Sequence, residues 1–430
     1  MKILHINTSD RGGAANACLR LHKGLLSAGV DSKVLVLYKS NNNIPQVFTF
    51  EALTIKEKSV SEKIKGKIKY ILIKLYLYRN SPNKIKVQRQ MLAQSRDYRL
   101  EMFSFPESDY DITDSQLFKD ADIIHLHWVA DFLDYQTFFA KCKKPVVWTF
   151  HDQNPMLGIE HYAEWYSAID NDGFPVKRTI SNIERTISDE KFQIKKEALS
   201  KFNNLNIVTV CHWMKSECEV SEIYNRFAIF MIHNGLNGNI FQPRNKVFAR
   251  SLLDIPQDKN IILFVADNIS NNRKGYEYLL RALRKINNEN VMLCSMGSKN
   301  AEIINNKHIT EFGNISDERL MSVIYSAADV FVIPSLMDNL PNTVLESLLC
   351  GTPVIGFPVG GIKDMVIDGQ NGYLTNEISV SALAGTINKF LQNPKIFDTR
   401  QIRKDAVERF ESSVQAKNVL NLYKKINVHN

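Results

Sequence analysis

The chain has 430 residues, more than one hydrophobic core usually supports, so two domains are expected. Apolar residues make up 44% and charged residues 23%, and the six cysteines form no C-x-x-C pair; this excludes a disordered or disulfide-framed chain and fits reduced thiols in a cytoplasm. The net charge of +8 is local, because Lys56–Arg89 holds eleven Lys/Arg against two acids, Glu57 and Glu62, and leaves −1 for everything else.

Met1-Lys2-Ile3-Leu4-His5-Ile6 opens no signal-like segment, and no run of twenty apolar residues comes after it, so neither a secretory leader nor a membrane span is expected. Ile3 to Asn7 reads as a buried parallel strand and Gly12-Gly13 as a turn. Ala14 to Ser27 has helical periodicity, with Leu19, Leu21, Leu25 and Leu26 available to face a sheet. Gly29 stops that helix and Lys33–Tyr38 is the next strand, which completes a βαβ unit. The stretch from Lys63 to Leu77 interleaves lysines with Ile and Leu, so it suits either an anionic membrane surface or an ordinary solvated helix. No nucleic-acid module accompanies the charge, so nucleic acid is not an expected partner. Asp122–His127, Pro145–Phe150 and Asn206–Cys211 are further strands, and His233-Asn234-Gly235 marks the domain boundary.

The second half repeats the pattern. Strands are expected at Ile261–Ala266, Val291–Met296, Ile309–Phe312, Val330–Pro334 and Pro353–Phe357. Helices are expected at Tyr276–Ile286, Asp317–Ala327, Thr343–Cys350 and from Val380 onward. Alternating β and α in both halves implies two doubly wound domains facing a cleft, with ligands at the carboxyl ends of strands.

Four segments carry candidate chemistry. In Pro334 to Ile355, Asp338 lies in a loop after a strand and Glu346 lies eight residues on, within the next helix; two acids flanking a helix N-terminus can hold sugar and ribose hydroxyls beside a phosphate. A capped helix with a surface acid is the plainer reading. Arg273-Lys274 precedes a helix start, as a diphosphate site needs, though a solvated basic turn looks alike. Asp10-Arg11-Gly12-Gly13 lets backbone approach a ligand, but it lacks the full G-x-G-x-x-G pattern, and no acid ends the second strand, so a dinucleotide site is poorly supported. Thr149-Phe150-His151-Asp152 delivers His151 to a strand's carboxyl end. His125 and His127 share one strand face without a third ligand and read as packing; Cys211, His212 and Cys218 lack zinc spacing.

Asp338 to Glu346 together with Cys350-Gly351-Thr352-Pro353-Val354 resembles the donor-site signature of glycosyltransferase family 4, the group 1 retaining enzymes. Gly360-Gly361-Ile362-Lys363-Asp364 and Gly369-Gln370-Asn371-Gly372-Tyr373-Leu374 resemble two further elements of that family in its order, and Thr149–Asp152 resembles the "T-x-H-D" of its polysaccharide-assembly members. The resemblance implies a GT-B fold, with residues 1–234 as the acceptor domain, 235–411 as the nucleotide-sugar domain, and a last helix near 412–430 returning to the first domain. It implies that Glu346 binds the ribose and that Asp338 and His151 act at the donor sugar. Asn339 and Leu340 would offer backbone N–H groups, Gly13 would approach the donor phosphate, and Lys274 would hold the diphosphate. The family's early Arg corresponds to Asn268, so Arg273 is the substitute cation; the first acid of the pair is Asp here where Glu is usual. The reaction implied by the resemblance is transfer from a UDP- or GDP-sugar to a saccharide acceptor, lipid-linked, in cell-surface polysaccharide assembly. It needs no metal or other cofactor. The cysteines fit a cytoplasmic place for it, and the basic segment 56–89, in its membrane-surface reading rather than as a solvated helix, would set it peripherally at the inner membrane face. A GT-B scaffold without turnover, a sugar-nucleotide epimerase and a Rossmann oxidoreductase are the competing classes.

Overall fold

The computed structural model describes residues 1–51, 82–163, 166–298 and 308–427. The first half forms a seven-stranded parallel sheet in the order β3-β2-β1-β4-β5-β8-β9. Its strands are β1 (Lys2–Ser9), β2 (Asp31–Tyr38), β3 (Val47–Thr49), β4 (Ile123–Leu126), β5 (Val146–Phe150), β8 (Leu205–Thr209) and β9 (Ala228–Met231). The second half forms a six-stranded parallel sheet, β12-β11-β10-β13-β14-β15. These strands are β10 (Asn260–Ala266), β11 (Val291–Gly297), β12 (Ile309–Glu311), β13 (Val330–Ile333), β14 (Val354–Gly356) and β15 (Gly372–Leu374). An antiparallel hairpin, β6 (Tyr166–Ile169) with β7 (Pro175–Lys177), lies outside both sheets.

The central strands β4, β5 and β13 are buried at every position, which is the signature of strands covered by helices on both faces. The helix Tyr276–Ile286 shows how a covering helix is specified. Gly275 enters it at φ +70°, Tyr276, Tyr278, Leu279 and Ala282 face inward, and Asn287 closes it in the left-handed region. The chain crosses into the second sheet through 232–245. There Gln242 and Arg244 donate backbone N–H groups to Ser322 and Ser326 of helix Glu318–Ala327.

The last helix, Ser412–Asn427, packs on the first domain: Val419, Leu422, Tyr423 and Ile426 form a cluster with Ile3, Leu21 and Leu25. Gly24 makes this approach possible, since a Cβ there would sit 3.1 Å from the Ala416 Cβ. The two sheets are thereby held with their carboxyl edges facing. Of the basic segment 56–89, residues 56–81 lie outside the described residues. The described part belongs to helix Pro82–Ser95, where Lys84 pairs with Glu190 at 2.9 Å and Arg89 with Asp131 at 2.6 Å. No described helix is long and apolar enough to cross a membrane.

Candidate functional site

Between the two carboxyl edges lies a cavity of about 490 Å³, lined from one side by Gly12, Gly13 and His151 and from the other by Arg273, Lys274, Asp338, Leu340 and Glu346. Each wall arises from local sequence. After β1, the Asp10 carboxylate accepts the backbone N–H groups of Ser40 and Asn41, both at 2.7 Å, and so fixes the loop that carries Gly12-Gly13. Gly12 sits at φ +96°, closed to most side chains, and the Gly13 carbonyl accepts the Asn342 side-chain amide at 3.0 Å across the cleft.

On the far wall, helix Asn342–Leu349 starts after Pro341 with no side-chain cap, so its first N–H groups are directed at the cavity. The preceding loop is held from behind by Gly360-Gly361. A Cβ at either position would lie 1.8 Å from the carbonyl oxygen of Asp338 or Asn339. The paired glycines therefore let two backbones touch and lock the acid in place.

Asp338 is buried and shares its Oδ2 between Lys274 Nζ at 2.7 Å and Ser335 Oγ at 3.3 Å. Burial raises its pKa, and Lys274 and then Arg273 outweigh that, so it stays ionised. Glu346 is also buried. Its Oε1 accepts Arg20 Nη2 at 3.1 Å and its Oε2 accepts the Tyr325 hydroxyl at 3.0 Å. Here burial wins and the pKa is raised, because Arg20 is shared with Glu318 and supplies only part of its charge.

Arg273 is not a free cation. Its Nε and Nη2 hold Glu101 Oε2 at 3.0 and 2.6 Å, its Nη1 donates to the Met337 carbonyl at 2.9 Å, and its guanidinium lies 4.2 Å from the Tyr162 ring centre. Lys274, beside it, is 24% exposed toward the cavity. Asn339 and Leu340 also divide. Leu340 lines the cavity, whereas the Asn339 side chain donates to the Phe150 carbonyl and accepts from Cys211, tying the second domain to the first. Asp364 makes a similar tie, accepting the His212 backbone N–H.

His151 stands at the end of β5, half-buried on the cavity wall. The loop after it is built around Asp152, which accepts Trp128 Nε1 at 2.8 Å and pairs with His161 Nδ1 at 2.6 Å. Beneath that loop the buried Lys195 ammonium donates to the carbonyls of Asn154 and Leu157. Behind His151, the side chains of His5, His127 and Cys18 offer three ligand-type atoms within 4.8 Å of one another. One nitrogen of His5 and one of His127 meet directly at 3.0 Å.

Sequence reasoning did not single out Glu101 or Arg20, and it named Asp152, His161 and Tyr162 only as neighbours of His151, with no role of their own. Asp152 was within reach, as the residue next to His151. Glu101 has a measurable consequence. Burial alone would raise its pKa, and the charge and hydrogen bonds of Arg273, with Lys274, bring it down to about 2. A depressed folded-state pKa contributes stability that is complete above the unfolded value near 4.5 and is lost as the pH falls toward 2. Glu101→Gln is expected to cost on the order of 3 kcal/mol at pH 7. In urea titrations its deficit against the parent should shrink between pH 4.5 and 2. A deficit unchanged over that range would show that the ion pair does not supply it.

Residues 246–409 match the family described as Glycosyl transferases group 1. The chain is 31% identical over 183 residues to a D-inositol 3-phosphate glycosyltransferase of Streptosporangium roseum, covering 38% of this chain and 42% of that protein. It is 26% identical over 245 residues to an uncharacterized glycosyltransferase of Methanocaldococcus jannaschii, covering 53% and 62%. The chain thus matches 42–62% of the length of these curated relatives. Among solved structures, sucrose-phosphate synthase from Thermosynechococcus elongatus superposes with a TM-score of 0.67 at 17% identity over the whole of both chains. Anabaena HepE in complex with UDP gives 0.63 at 15% identity over 99% of this chain and 100% of that one. WaaG, a glycosyltransferase involved in lipopolysaccharide biosynthesis, gives 0.60 at 14% over 97% and 98%. The fold is GT-B, and residues 246–409 are the part of it that matches the group 1 glycosyl transferases.

Proposed function

We propose that the chain is a retaining glycosyltransferase that moves a sugar from a UDP- or GDP-sugar to a saccharide acceptor. The observation that carries this is the juxtaposition across one cavity of Lys274–Asp338 and the open helix N-terminus with His151 and the Gly12-Gly13 loop. The second domain takes the donor: Glu346 binds the ribose hydroxyls, Asp338 a sugar hydroxyl, and Lys274 with the N–H groups at Leu340 and the helix start stabilises the departing diphosphate. His151 meets the sugar from the first domain. The three buried carboxylates that line the cavity are all committed, Asp152 to Trp128 and His161, Asp338 to Lys274, and Glu346 to Arg20 and Tyr325. A same-face displacement, with a donor phosphate oxygen taking the acceptor proton, therefore suits the site better than a covalent glycosyl-enzyme. The positive charge comes from Lys274 and backbone dipoles, and the proposed reaction needs no metal. The acceptor class we favour is a lipid-linked saccharide of cell-surface polysaccharide assembly, met at the cytoplasmic face of the membrane through the basic segment 56–89. The group 1 domain, the GT-B likeness to WaaG and the segment's charge support that choice.

Thermal stabilisation against UDP-, GDP- and ADP-sugars, with NAD as a control, tests the donor site. A cognate donor at a hundred times its Kd should add about 2.7 kcal/mol. A response to NAD alone would overturn the reading.

A further inference from the structure

Three histidines from three adjacent strands, His5 within β1 and His127 and His151 just past the ends of β4 and β5, are joined nitrogen to nitrogen. His151 Nε2 lies 3.0 Å from His127 Nδ1, and His127 Nε2 lies 3.0 Å from His5 Nδ1. The rings of His127 and His151 are nearly parallel, at 20°, with centres 5.3 Å apart. His5 and His127 are buried, and His5 Nε2 has no partner among the described residues. His151 Nδ1, at the other end, has no partner among the described residues, and His151 lines the cavity.

A contact between two neutral imidazole nitrogens requires one N–H and one lone pair. In a chain of such contacts every ring must therefore point the same way, and only two arrangements exist. In one, His151 donates inward and the chain ends on a buried N–H at His5 Nε2 with nothing to receive it. In the other, His5 donates to His127, His127 donates to His151, and the chain ends on a bare lone pair at His5 Nε2. A buried orphan N–H is the rarer and costlier defect. The Cys18 sulfur lies close to the His5 and His127 rings, and burial pushes its pKa up and keeps it a thiol, able to donate weakly but not to accept strongly. The second arrangement is favoured on both counts. The three rings are also held neutral, since burial lowers the pKa of His151 to about 4 and holds those of His127 and His5 well below the ordinary histidine value.

His125 does not compete for this role. Its nitrogens meet the Tyr423 and Thr149 hydroxyls at 2.5 and 2.7 Å, and hydroxyls rotate to suit either tautomer. It stacks on His127 with ring centres 4.2 Å apart and so keeps that ring in plane.

We propose that His127 and His5 are positioning residues that fix the tautomer of His151, so that it presents its Nδ1–H, as a donor, to an oxygen of the sugar in the cavity. The sugar in that statement rests on the proposed glycosyl transfer; the tautomer does not. A lone half-exposed imidazole would exchange between its two neutral forms, and the relay removes that freedom before any ligand arrives.

The test is the imidazole 15N spectrum of the full chain at neutral pH, assigned through His151→Asn. The expected result is a neutral His151 protonated on Nδ1, with His127 in the same form. In His127→Leu, which deletes the donor, the Nδ1–H form of His151 should cease to dominate. In His127→Asn, whose amide can replace the Nδ1–H donor, it should be restored. A His151 protonated on Nε2 in the parent chain overturns the proposal, and that measurement needs no variant to fold. An unchanged His151 signal in folded His127→Leu overturns it as well. Loss of sugar-nucleotide binding with the tautomer confirmed would instead remove the functional reading and leave the relay standing.

Discussion

A Glu346→Gln chain is expected to fold as the parent does and to bind its sugar nucleotide ten- to a hundredfold more weakly. An ionised carboxylate accepts at about four lone-pair positions. Arg20 and Tyr325 take one on each oxygen, and the remainder are available to the cavity that Glu346 lines. Ribose hydroxyls would donate there. A glutamine replaces one acceptor oxygen by an NH2 group and removes the charge from the other. Hydrogen bonds to a charged group contribute about 1.5–3 kcal/mol, which is the tenfold to hundredfold range. The fold should tolerate the change, because Tyr325 can still donate to the amide oxygen and Arg20 keeps Glu318 at 2.7 Å. The sign of the pKa shift makes the same point. Burial raises Glu346 above the ordinary 4.5, so in the window between that value and the raised one the folded chain holds a proton the unfolded chain has released. The parent therefore gives up stability as the pH climbs past 4.5, and the glutamine variant does not. Calorimetric titration with the cognate nucleotide and urea unfolding at two pH values would separate these effects. Unaltered affinity in the folded variant would remove Glu346 from the ribose site.

The sheets were readable because a strand covered on both faces has to be apolar at nearly every position, and Val146–Phe150 and Val330–Ile333 are. The shape of the loop from Asp338 to Glu346 was readable because its constraints are local: two acids at a fixed spacing around one helix start, and glycines where two backbones touch. The interdomain contacts were not. Glu101 lies in an irregular segment with no periodicity, and nothing around it in sequence points to Arg273, 172 residues later. Arg20 looks like any solvated helix residue until Glu346 is brought against it. His125 and His127 were visible as a pair on one face, but their reading needs His5, which parallel pairing sets directly opposite His125. Such neighbours are fixed by strand order, and strand order leaves no mark in the spacing of residues. The hairpin β6–β7 and helix Asn182–Leu199 were overlooked for a different reason, since their exposed polar faces blur the apolar period.

Lys274→Met should weaken donor binding a hundredfold or more with a small change in stability, and Arg273→Met should do the reverse. The sequence offers these adjacent cations as equals for the diphosphate, with Asn268 where the family's Arg is expected. The structure separates them. Arg273 is 8% exposed and its Nε, Nη1 and Nη2 are all engaged, by Glu101 and the Met337 carbonyl. Removing it leaves Glu101 without its fork and Asp338 with one cation fewer. Breaking such a buried pair costs about 3–5 kcal/mol. Lys274 is anchored by one contact, to Asp338, on a four-carbon stem, and faces the cavity. An arriving diphosphate can share or capture that ammonium at little cost, while Arg273 goes on holding Asp338 ionised from 3.4 Å. Methionine keeps the stem's packing and deletes the charge. A charge-assisted contact to a doubly charged diphosphate, lost in a partly desolvated cleft, accounts for about 2.7 kcal/mol, or a hundredfold. The contrast is measured by titrating both variants with nucleoside diphosphate and melting both without it. If Arg273→Met lost affinity while keeping its melting temperature, the guanidinium would be the diphosphate cation after all. The Glu101 fork would then have to open when the donor binds.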